Sequence, residues 1–282
     1  GDYSTLATAE AGLNSNLASP SSLVFSISAS TEPTISAVAS VSGLTSSATG
    51  TAVLVNAART QVFIRNVVGT FQSGEVVKRT TDATKTVTLS DAGNSPIVGI
   101  KIDGTWTAAD SGVTIDGWTT DATHYIKIYT TAAARHNGKW DDTKYRIERT
   151  TENWAAIFTI KEDFVRVEGL QISNMAISGQ PSGMTIINGT SSAGEFRISH
   201  NIIRLSPSFS IINQIGIWAY NLNANTVAKI WNNIVYDAYY GIQVGFGGAN
   251  PKATYIVYNN TVVDPKGQGI RGYFSSTGTG EN

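Results

Sequence analysis

The sequence contains no cysteine among its 282 residues, which excludes disulfide bonds, thiolate metal sites and cysteine nucleophiles. Charged residues make up only 15% of the chain, and the formal net charge is −1. Proteins that bind nucleic acid need a basic field, and this composition does not supply one. No run of 18 apolar residues is present, so no segment resembles a membrane-spanning helix. We therefore expect neither nucleic acid nor a membrane as a partner.

Several other signatures are missing as well. The opening segment GDYSTLATAEAG has neither the basic nor the apolar region of a signal peptide. The sequence has no phosphate-binding loop, no dinucleotide motif and no Ser-His-Asp set. Its three histidines are scattered: His124 and His136 lie 12 residues apart, and His200 stands alone. Because none has a ligand spacing, we predict structural imidazoles, no metal site and no cofactor.

A nine-residue pattern recurs four times in the second half of the chain. It alternates apolar and polar residues, shifts by one residue at a Leu or Asn, and then resumes. Its landmarks are Val165, Val167, Leu170 and Ile172; Phe196, Ile198, Asn201 and Ile203; Ala228, Ile230, Asn233 and Val235; and Tyr255, Val257, Asn260 and Val262. The Leu or Asn positions are separated by 31, 32 and 27 residues. Alternation of period two predicts strands, and repetition at this period predicts stacked supersecondary units.

Three successive repeats place asparagine at the shift, where the chain must bend to keep its inward phase. These residues are Asn201, Asn233 and Asn260. A buried amide costs free energy unless it is hydrogen-bonded, and stacked amides can bond from one coil to the next. We therefore predict a structural ladder rather than a catalytic set.

A second register supports coil stacking. Gly183, Gly216, Gly241 and Gly269 each open a short strand, at spacings of 33, 25 and 28 residues. We expect glycine there to supply a tight bend. Two series of strands with similar spacings indicate a chain of β-strands that is wound into stacked coils.

The segments SHNII, WNNIV and YNNTV resemble the repeats of right-handed parallel β-helix proteins, the pectate-lyase-like superfamily. The resemblance spans residues 112–274 and implies an all-β, right-handed parallel β-helix. It does not imply one activity, because this superfamily includes lyases, hydrolases, phage tailspikes, adhesins and structural proteins.

The N-terminal part has a different character. Residues 3–17 place Leu6, Ala9, Leu13 and Leu17 near one face, which predicts a short helix capped by Ser4 or Thr5. We expect residues 1–29 to form a cap helix and first strand over the solenoid end, residues 30–111 a small inserted β-module, and residues 112–282 the β-helix. The phrase NVVGTFQSGEVV in the module is similar to a short element of tailed-phage structural proteins.

The catalytic sets that the resemblance would imply are not found in the sequence. A pectate-lyase-type site needs clustered acids and an exposed base, and a polygalacturonase-type site needs several close carboxylates with His and a basic pair. Neither is found, because no Gly-His-Gly, Arg-Ile-Lys or strand-borne Asp-Asp is present. Asp237 and Asp264 each follow a ladder Asn by four residues, so they should lie about 5 Å apart on adjacent coils. They could hold a cation or act as a glycosidase pair, although both also suit strand-ending turns.

The outward positions of the first strand register are basic in three successive coils, at Arg166, Arg197 and Lys229. Two residues further along lie Glu168, Ser199, Trp231 and Tyr258. Sugars pack on aromatic rings and arginine holds carboxylates, so this face could bind an acidic glycan. It could equally be a subunit contact, or a solvated surface on which Glu168 neutralises Arg166 or Arg197.

These features favour a non-enzymatic virion protein of a tailed phage, in a capsid-decoration, surface or tail-associated position. Its partners would be other virion proteins and a cell-surface glycan, and its location the virion. The resemblance to β-helical phage proteins implies a homotrimer. A polysaccharide lyase or glycoside hydrolase acting on an acidic glycan is an alternative, and an extracellular, secreted adhesin is another.

Overall fold

The computed structural model describes residues 3–18, 21–31, 39–56, 58–94, 97–150, 155–176, 178–187, 193–207, 213–245 and 253–273. Two compact units are present. One comprises residues 1–98 and 117–125, and the other comprises residues 99–116 and 126–282. We call them the barrel unit and the solenoid unit. Among the described residues, no helix is long and apolar enough to cross a membrane.

The barrel unit begins with one short helix. Helix α1 spans Leu6–Leu13 and buries Leu6, Ala9 and Leu13. Thr5 is its N-cap: the Thr5 hydroxyl accepts from the amide of Thr8, and the Thr8 hydroxyl accepts from the amide of Thr5. This capping box satisfies two amides that the helix leaves without partners, so the predicted helix and its Thr5 cap are confirmed. The predicted role of the helix as a lid over the solenoid end stays a prediction.

Six antiparallel strands follow and close into a barrel. They are β1 (Leu23–Ser30), β2 (Ala39–Gly43), β3 (Thr49–Val55), β4 (Gln61–Val68), β5 (Val76–Arg79) and β6 (Thr86–Leu89). Their order is β1-β4-β3-β2-β5-β6, and β1 pairs with β6 to complete the circle. Closure leaves the sheet without an open edge, and the interior is filled by side chains such as Phe25, Ile64 and Val77. Strand β1, expected to belong with the cap helix, is therefore a barrel strand.

Glu75 organises the corner formed by the segment GTFQSGE. Its carboxylate is buried and accepts hydrogen bonds from the amides of Thr45, Ser46 and Gln72 and from the Ser46 hydroxyl. Burial alone would raise the pKa of Glu75, but these bonds outweigh it, and the pKa is lowered. Nearby, Phe71 packs edge-on against Phe25, with ring centroids 5.5 Å apart. The element that resembles a phage motif is thus a structural corner of the barrel.

The solenoid unit consists of three parallel sheets. Sheet 1 contains β7 (Val98–Ile102), β9 (Ile126–Thr130), β12 (Phe164–Glu168), β15 (Gly194–Ser199), β18 (Thr226–Trp231) and β21 (Thr254–Tyr258). Sheet 2 contains β10 (Arg146–Arg149), β13 (Gln171–Asn174), β16 (Ile202–Leu205), β19 (Ile234–Tyr236) and β22 (Thr261–Val263). Sheet 3 contains β8 (Val113–Ile115), β11 (Ala156–Ile160), β14 (Ser182–Ile186), β17 (Ile215–Ala219), β20 (Tyr240–Val244) and β23 (Gln268–Gly272).

The chain visits sheets 1, 2 and 3 in turn and repeats this order for about five coils, as in β9-β10-β11 and β12-β13-β14. The all-β parallel β-solenoid is therefore confirmed. Each sheet contributes an inward column of apolar side chains to the core. Examples are Ile128, Val167, Ile198 and Ile230 from sheet 1, Ile147, Ile172, Ile203 and Val235 from sheet 2, and Phe158, Met184, Ile217 and Ile242 from sheet 3, all fully buried.

The bend between sheets 1 and 2 has a local cause. The residue before each Leu or Asn landmark has a positive φ: Gly169 (82°), His200 (56°), Asn232 (54°) and Asn259 (51°). One left-handed residue turns the chain sharply, and Gly and Asn tolerate that conformation best. The landmark residue that follows then points inward, which places the asparagines in one column.

That column is continuous. The Asn201 amide nitrogen Nδ2 donates to Asn233 Oδ1, and Asn233 Nδ2 donates to Asn260 Oδ1, each at 3.0 Å. The backbone amides of Leu170, Asn201 and Asn233 donate to the side-chain oxygen of the next coil at 2.9–3.0 Å. Nδ2 of Asn233 also reaches the carbonyl oxygens of Ile198 and Trp231. The amides thus satisfy polar backbone groups at a bend where no strand pairing can do so.

The glycine register of sheet 3 has a cause different from the expected bend. None of Gly183, Gly216, Gly241 and Gly269 has a positive φ. A Cβ atom built on Gly183 would lie 2.9 Å from the carbonyl oxygen of Gly216 and 2.5 Å from Ile203 Cγ2. Gly183, Gly216 and Gly241 allow the close approach of successive coils, whereas a Cβ on Gly269 would have space. The expectation that this register makes tight turns was wrong.

Candidate functional site

Outward side chains of sheet 1 are partly accessible, whereas several outward side chains of the other two sheets are buried. The outward residues of sheet 3, Thr185, Trp218 and Gln243, are buried, as are Gln171 and Ser173 on sheet 2. Outward residues of sheet 1 such as Arg166 and Arg197 keep 25% and 38% of their side-chain surface exposed. Sheet 1 therefore offers accessible charged side chains for contact with a large ligand. On sheet 2, Arg204 and Glu148 are 31% and 32% exposed, but they form an ion pair with each other.

The strand register brings four basic residues into one column on this face. Arg166 pairs in register with Arg197, and Arg197 with Lys229, as their spacing predicted. Lys127 on β9 pairs with Arg166 and extends the column by one coil. Neighbouring strands lie about 4.8 Å apart, so like charges stand close together along the column. We call Lys127, Arg166, Arg197 and Lys229 the basic column.

Glu195 neutralises part of the basic column. One of its oxygens lies 2.5 Å from Arg197 Nε and 4.0 Å from an Arg166 nitrogen, and the other lies 2.7 Å from Lys229 Nζ. Burial alone would raise the pKa of Glu195, but the hydrogen bonds from Arg197 and Lys229 outweigh it and lower the pKa. One carboxylate therefore fixes the positions of three cations.

Glu168 serves the other end of the column. Its carboxylate lies 2.8 Å from Arg135 and 3.5 Å from Lys127, so it pairs with these residues rather than with Arg166 or Arg197. Its pKa is lowered, because the contacts with Arg135 and Lys127 outweigh the effect of burial. Including Arg135, five cations face two carboxylates, which leaves this surface with a positive excess.

Two aromatic rings lie beside the basic column. Trp231 and Tyr258 pair in register on β18 and β21, and their rings are nearly parallel, with centroids 6.1 Å apart and an interplanar angle of 6°. Tyr258 is 47% exposed. At the opposite end, Lys127 lies 4.9 Å from the ring centroid of Tyr129. The face therefore offers aromatic surface next to fixed positive charges, and we call the basic column with Trp231 and Tyr258 the sheet-1 face.

Three of these participants were missed in the sequence. Lys127 lies in the segment IKIYT, which follows the same alternation as FVRVE but lacks the landmark Leu or Asn. Glu195 immediately precedes the landmark Phe196 and lies two residues before Arg197 on the same strand. Its in-register partners are Phe164 and Val227, so Arg166 and Lys229 are its diagonal neighbours, and the repeat indicates this placement. Arg135 lies in a loop, and no pattern in the sequence indicates its contact with Glu168.

The acidic pair Asp237 and Asp264 occupies equivalent turns on adjacent coils. Both residues have a positive φ, 58° and 50°, directly after β19 and β22. The Asp237 amide donates to the carbonyl oxygen of Val263, and its carboxylate lies 3.9 Å from Lys266 Nζ. Among the described residues, no group of three or more His, Cys, Asp or Glu side chains could hold a metal ion. Turn formation accounts for the conformation of both aspartates.

Two of the three histidines are linked by a hydrogen bond, and the third makes a separate contact. His124 Nδ1 lies 2.7 Å from the carboxylate of Asp121 in the barrel unit. In the solenoid unit, His136 is buried; its Nε2 lies 2.8 Å from the carbonyl oxygen of His200, and its Nδ1 accepts from the amide of Gly138. Those partners require the neutral tautomer with hydrogen on Nε2.

Acid should therefore weaken the solenoid unit through His136. Burial lowers its pKa below the ordinary value of 6.5. The neutral form is favoured in the folded state, so this stabilisation is complete above pH 6.5 and is lost as the pH falls through the folded pKa. We expect denaturant unfolding at pH 7.5 and 5.5 to show a smaller pH dependence for His136→Gln than for the unaltered protein.

A control variant shows whether the substitution of a polar side chain by itself changes the pH dependence. Asp103 is hydrogen-bonded by Thr131 and has a pKa lowered to about 2, so it does not titrate between pH 5.5 and 7.5. Asp103→Asn should keep the pH dependence of the unaltered protein in that interval. Identical pH dependence in His136→Gln and the unaltered protein would show that His136 does not contribute.

Comparison with known proteins finds no matching family model, no matching curated protein and no matching solved structure. The function is therefore argued from the geometry of the chain.

Proposed function

We propose that this chain is a non-enzymatic structural protein of a tailed-phage virion, and that its sheet-1 face binds an acidic glycan. The observation that carries the glycan proposal is the register of the basic column beside the stacked rings of Trp231 and Tyr258. The virion proposal is supported by the β-solenoid together with the phage-like segment at residues 66–77. Its partners would be other virion proteins, in a capsid-decoration, surface or tail-associated position.

The solenoid suits display because its face is held rigidly from within. Inward residues below the basic column, such as Val167, Ile198 and Ile230, are fully buried. The Asn ladder pins each coil to the next at the bend that ends the strands of sheet 1. A face with little freedom loses little conformational entropy when it binds a ligand.

The face combines the two interactions that an acidic sugar chain requires. The apolar faces of sugar rings pack on aromatic surface, which Tyr258 and Trp231 provide. Carboxylate or sulfate groups of the glycan would meet the basic column, whose excess positive charge Glu195 and Glu168 reduce but do not cancel. Because these charges are partly exposed, the binding should weaken as salt is added.

The glycan proposal can be tested by titrating a panel of acidic and neutral polysaccharides by calorimetry at low salt. We expect an acidic polysaccharide to bind, and Tyr258→Ala and Arg166→Ala each to weaken it by about tenfold. Tyr258 is exposed on the last described coil, so its loss should not disturb the fold. Lys161→Ala removes a cation that follows strand β11 of sheet 3 and pairs with Asp116, and it should change the affinity by less than about twofold.

The outcomes separate the parts of the proposal. Binding to no acidic polysaccharide, or equal binding by all three variants, would contradict the glycan-binding face. Shortening of the polysaccharide that Asp264→Ala abolishes would instead establish the lyase or hydrolase alternative. Light scattering should give the mass of a homotrimer if the assembly resembles that of β-helical phage proteins, and a monomer at high concentration would contradict it.

A further inference from the structure

The barrel unit contains a polar cavity, and its lining residues are distant in sequence from the residues of the sheet-1 face. Its volume is about 250 Å³, and its lining residues are Ser15, Asn16, Ser21, Ser22, Arg65 and Asn66. Hydroxyl and amide groups supply most of this lining, and Arg65 is its charged member. We propose that this cavity binds a small hydroxylated carboxylate, of the chemical class of a sugar acid.

Arg65 is held in place by one end of its guanidinium. Its Nη1 donates to the carbonyl oxygen of Asn14, the C-cap residue of α1, at 3.0 Å. Its Nε is buried, and among the described residues it has no hydrogen-bond partner. A buried donor without a partner is uncommon in proteins and requires an explanation. A bound ligand that accepts a hydrogen bond from this edge of the guanidinium provides one.

The geometry of the free edge favours a carboxylate. Arginine binds carboxylates through two parallel N–H donors, and Nε forms one such pair with its neighbouring Nη. Because Nη1 is committed to Asn14, the edge that contains Nε is the one that remains for a ligand. The guanidinium must turn slightly toward the cavity to present this edge, and two charge-assisted hydrogen bonds favour that turn. Among the described residues, none that lines the cavity is acidic.

The opposite walls are suited to hydroxyl groups. The hydroxyl of Ser15 donates to the carbonyl oxygen of Leu13, which leaves its oxygen lone pairs as acceptors. The walls are also fixed by backbone bonds: the Val67 amide donates to Ser21 O at 2.9 Å, and the Leu17 amide donates to Thr119 O at 2.8 Å. Walls that are fixed in this way lose little order on binding, and the Arg65 guanidinium is the part that must move.

The test uses the full chain and two sugars that differ in one group. D-Glucuronate should bind with a dissociation constant on the order of 1 mM, measured by calorimetry or by NMR shifts, and D-glucose should bind at least tenfold more weakly. Arg65→Lys keeps the positive charge but removes the pair of N–H donors formed by Nε and its neighbouring Nη. It should weaken glucuronate binding by at least tenfold. Arg59→Lys, at an exposed turn of the same unit, is the matched control and should bind as the unaltered protein does.

Several results would overturn the proposal. Equal binding of glucuronate and glucose would show that the carboxylate is not recognised, and equal binding of inorganic phosphate would show a general anion site. Unchanged affinity in Arg65→Lys, with an unchanged melting temperature, would exclude Arg65 as the anchor. Because Tyr258→Ala lies in the other unit, it should leave glucuronate binding intact, so failure of the glycan-binding face and failure of this cavity are distinguishable.

A polymer arm identifies the source of the acid. If Arg65→Lys weakens binding of an oligoglucuronate as well as free glucuronate, the cavity holds an acid residue of a glycan. If it weakens only the free sugar, the cavity holds a free small acid.

Discussion

Asn233→Leu should lower the free energy of unfolding of the solenoid unit by about 3–5 kcal/mol. The Asn233 side chain is fully buried and joins three coils. Its Oδ1 accepts from the backbone amide and from Nδ2 of Asn201, and the two hydrogens of its Nδ2 are shared among Ile198 O, Trp231 O and Asn260 Oδ1. Leucine has a similar volume but removes these contacts, and the buried backbone amide of Asn201 loses the side-chain oxygen to which it donates. Urea unfolding followed by tryptophan fluorescence measures the loss.

Asn260→Leu is the matched comparison for this prediction. Asn260 belongs to the same ladder, but it lies in the last described coil and is only half-buried. Water can replace several of its hydrogen bonds, so we expect a loss of only about 1–2 kcal/mol. Equal losses of unfolding free energy at positions 233 and 260 would show that burial does not determine how much each ladder asparagine stabilises the fold.

Gly216→Ala should destabilise the solenoid unit by about 3 kcal/mol. A Cβ atom at this position would overlap the carbonyl oxygen of Gly241 and Cγ1 of Val235. The oxygen belongs to the backbone of the next coil, which cannot move without breaking the hydrogen bonds of sheet 3. The stacking distance between coils must therefore increase locally. Thermal unfolding should show a clearly lower melting temperature, or the variant should accumulate as insoluble protein.

Gly269→Ala tests the same substitution where space is available. The nearest atom to a Cβ at Gly269 is Val262 Cβ, at 3.8 Å, which is an ordinary van der Waals distance. We expect a change within about 0.5 kcal/mol. A large destabilisation by Gly269→Ala would mean that the preference for glycine comes from the backbone conformation and not from coil contact.

These effects bear on the proposed function because the sheet-1 face depends on the ladder. Asn201 and Asn233 each follow one bend residue after β15 and β18, the strands that carry Arg197 and Lys229. A variant that loosens the ladder should disturb the spacing of the basic column without removing any of its charges. Loss of ladder order should therefore reduce glycan binding as well as stability.

The repeat could be predicted from the sequence because its physics is local. Alternation of apolar and polar residues determines which side chains face inward, and the one-residue shift before Asn201, Asn233 and Asn260 locates the bend. Positive-φ residues before each landmark act within one or two peptide units, so their effect recurs wherever the pattern recurs. The same reasoning applied to the barrel failed to place β1, whose partners β4 and β6 are distant in sequence.

The sequence by itself therefore determined the strands, their winding into stacked coils, the amide column and the register of Arg166, Arg197 and Lys229. Only the tertiary structure decided which carboxylate meets which cation, where the cavity beside Arg65 lies, and why sheet 3 requires glycine. The physical reason is the distance along the chain over which each interaction acts. Periodicity records the direction of each side chain along its own strand, whereas ion pairs, cavities and backbone clashes depend on atoms that the chain brings together from distant positions.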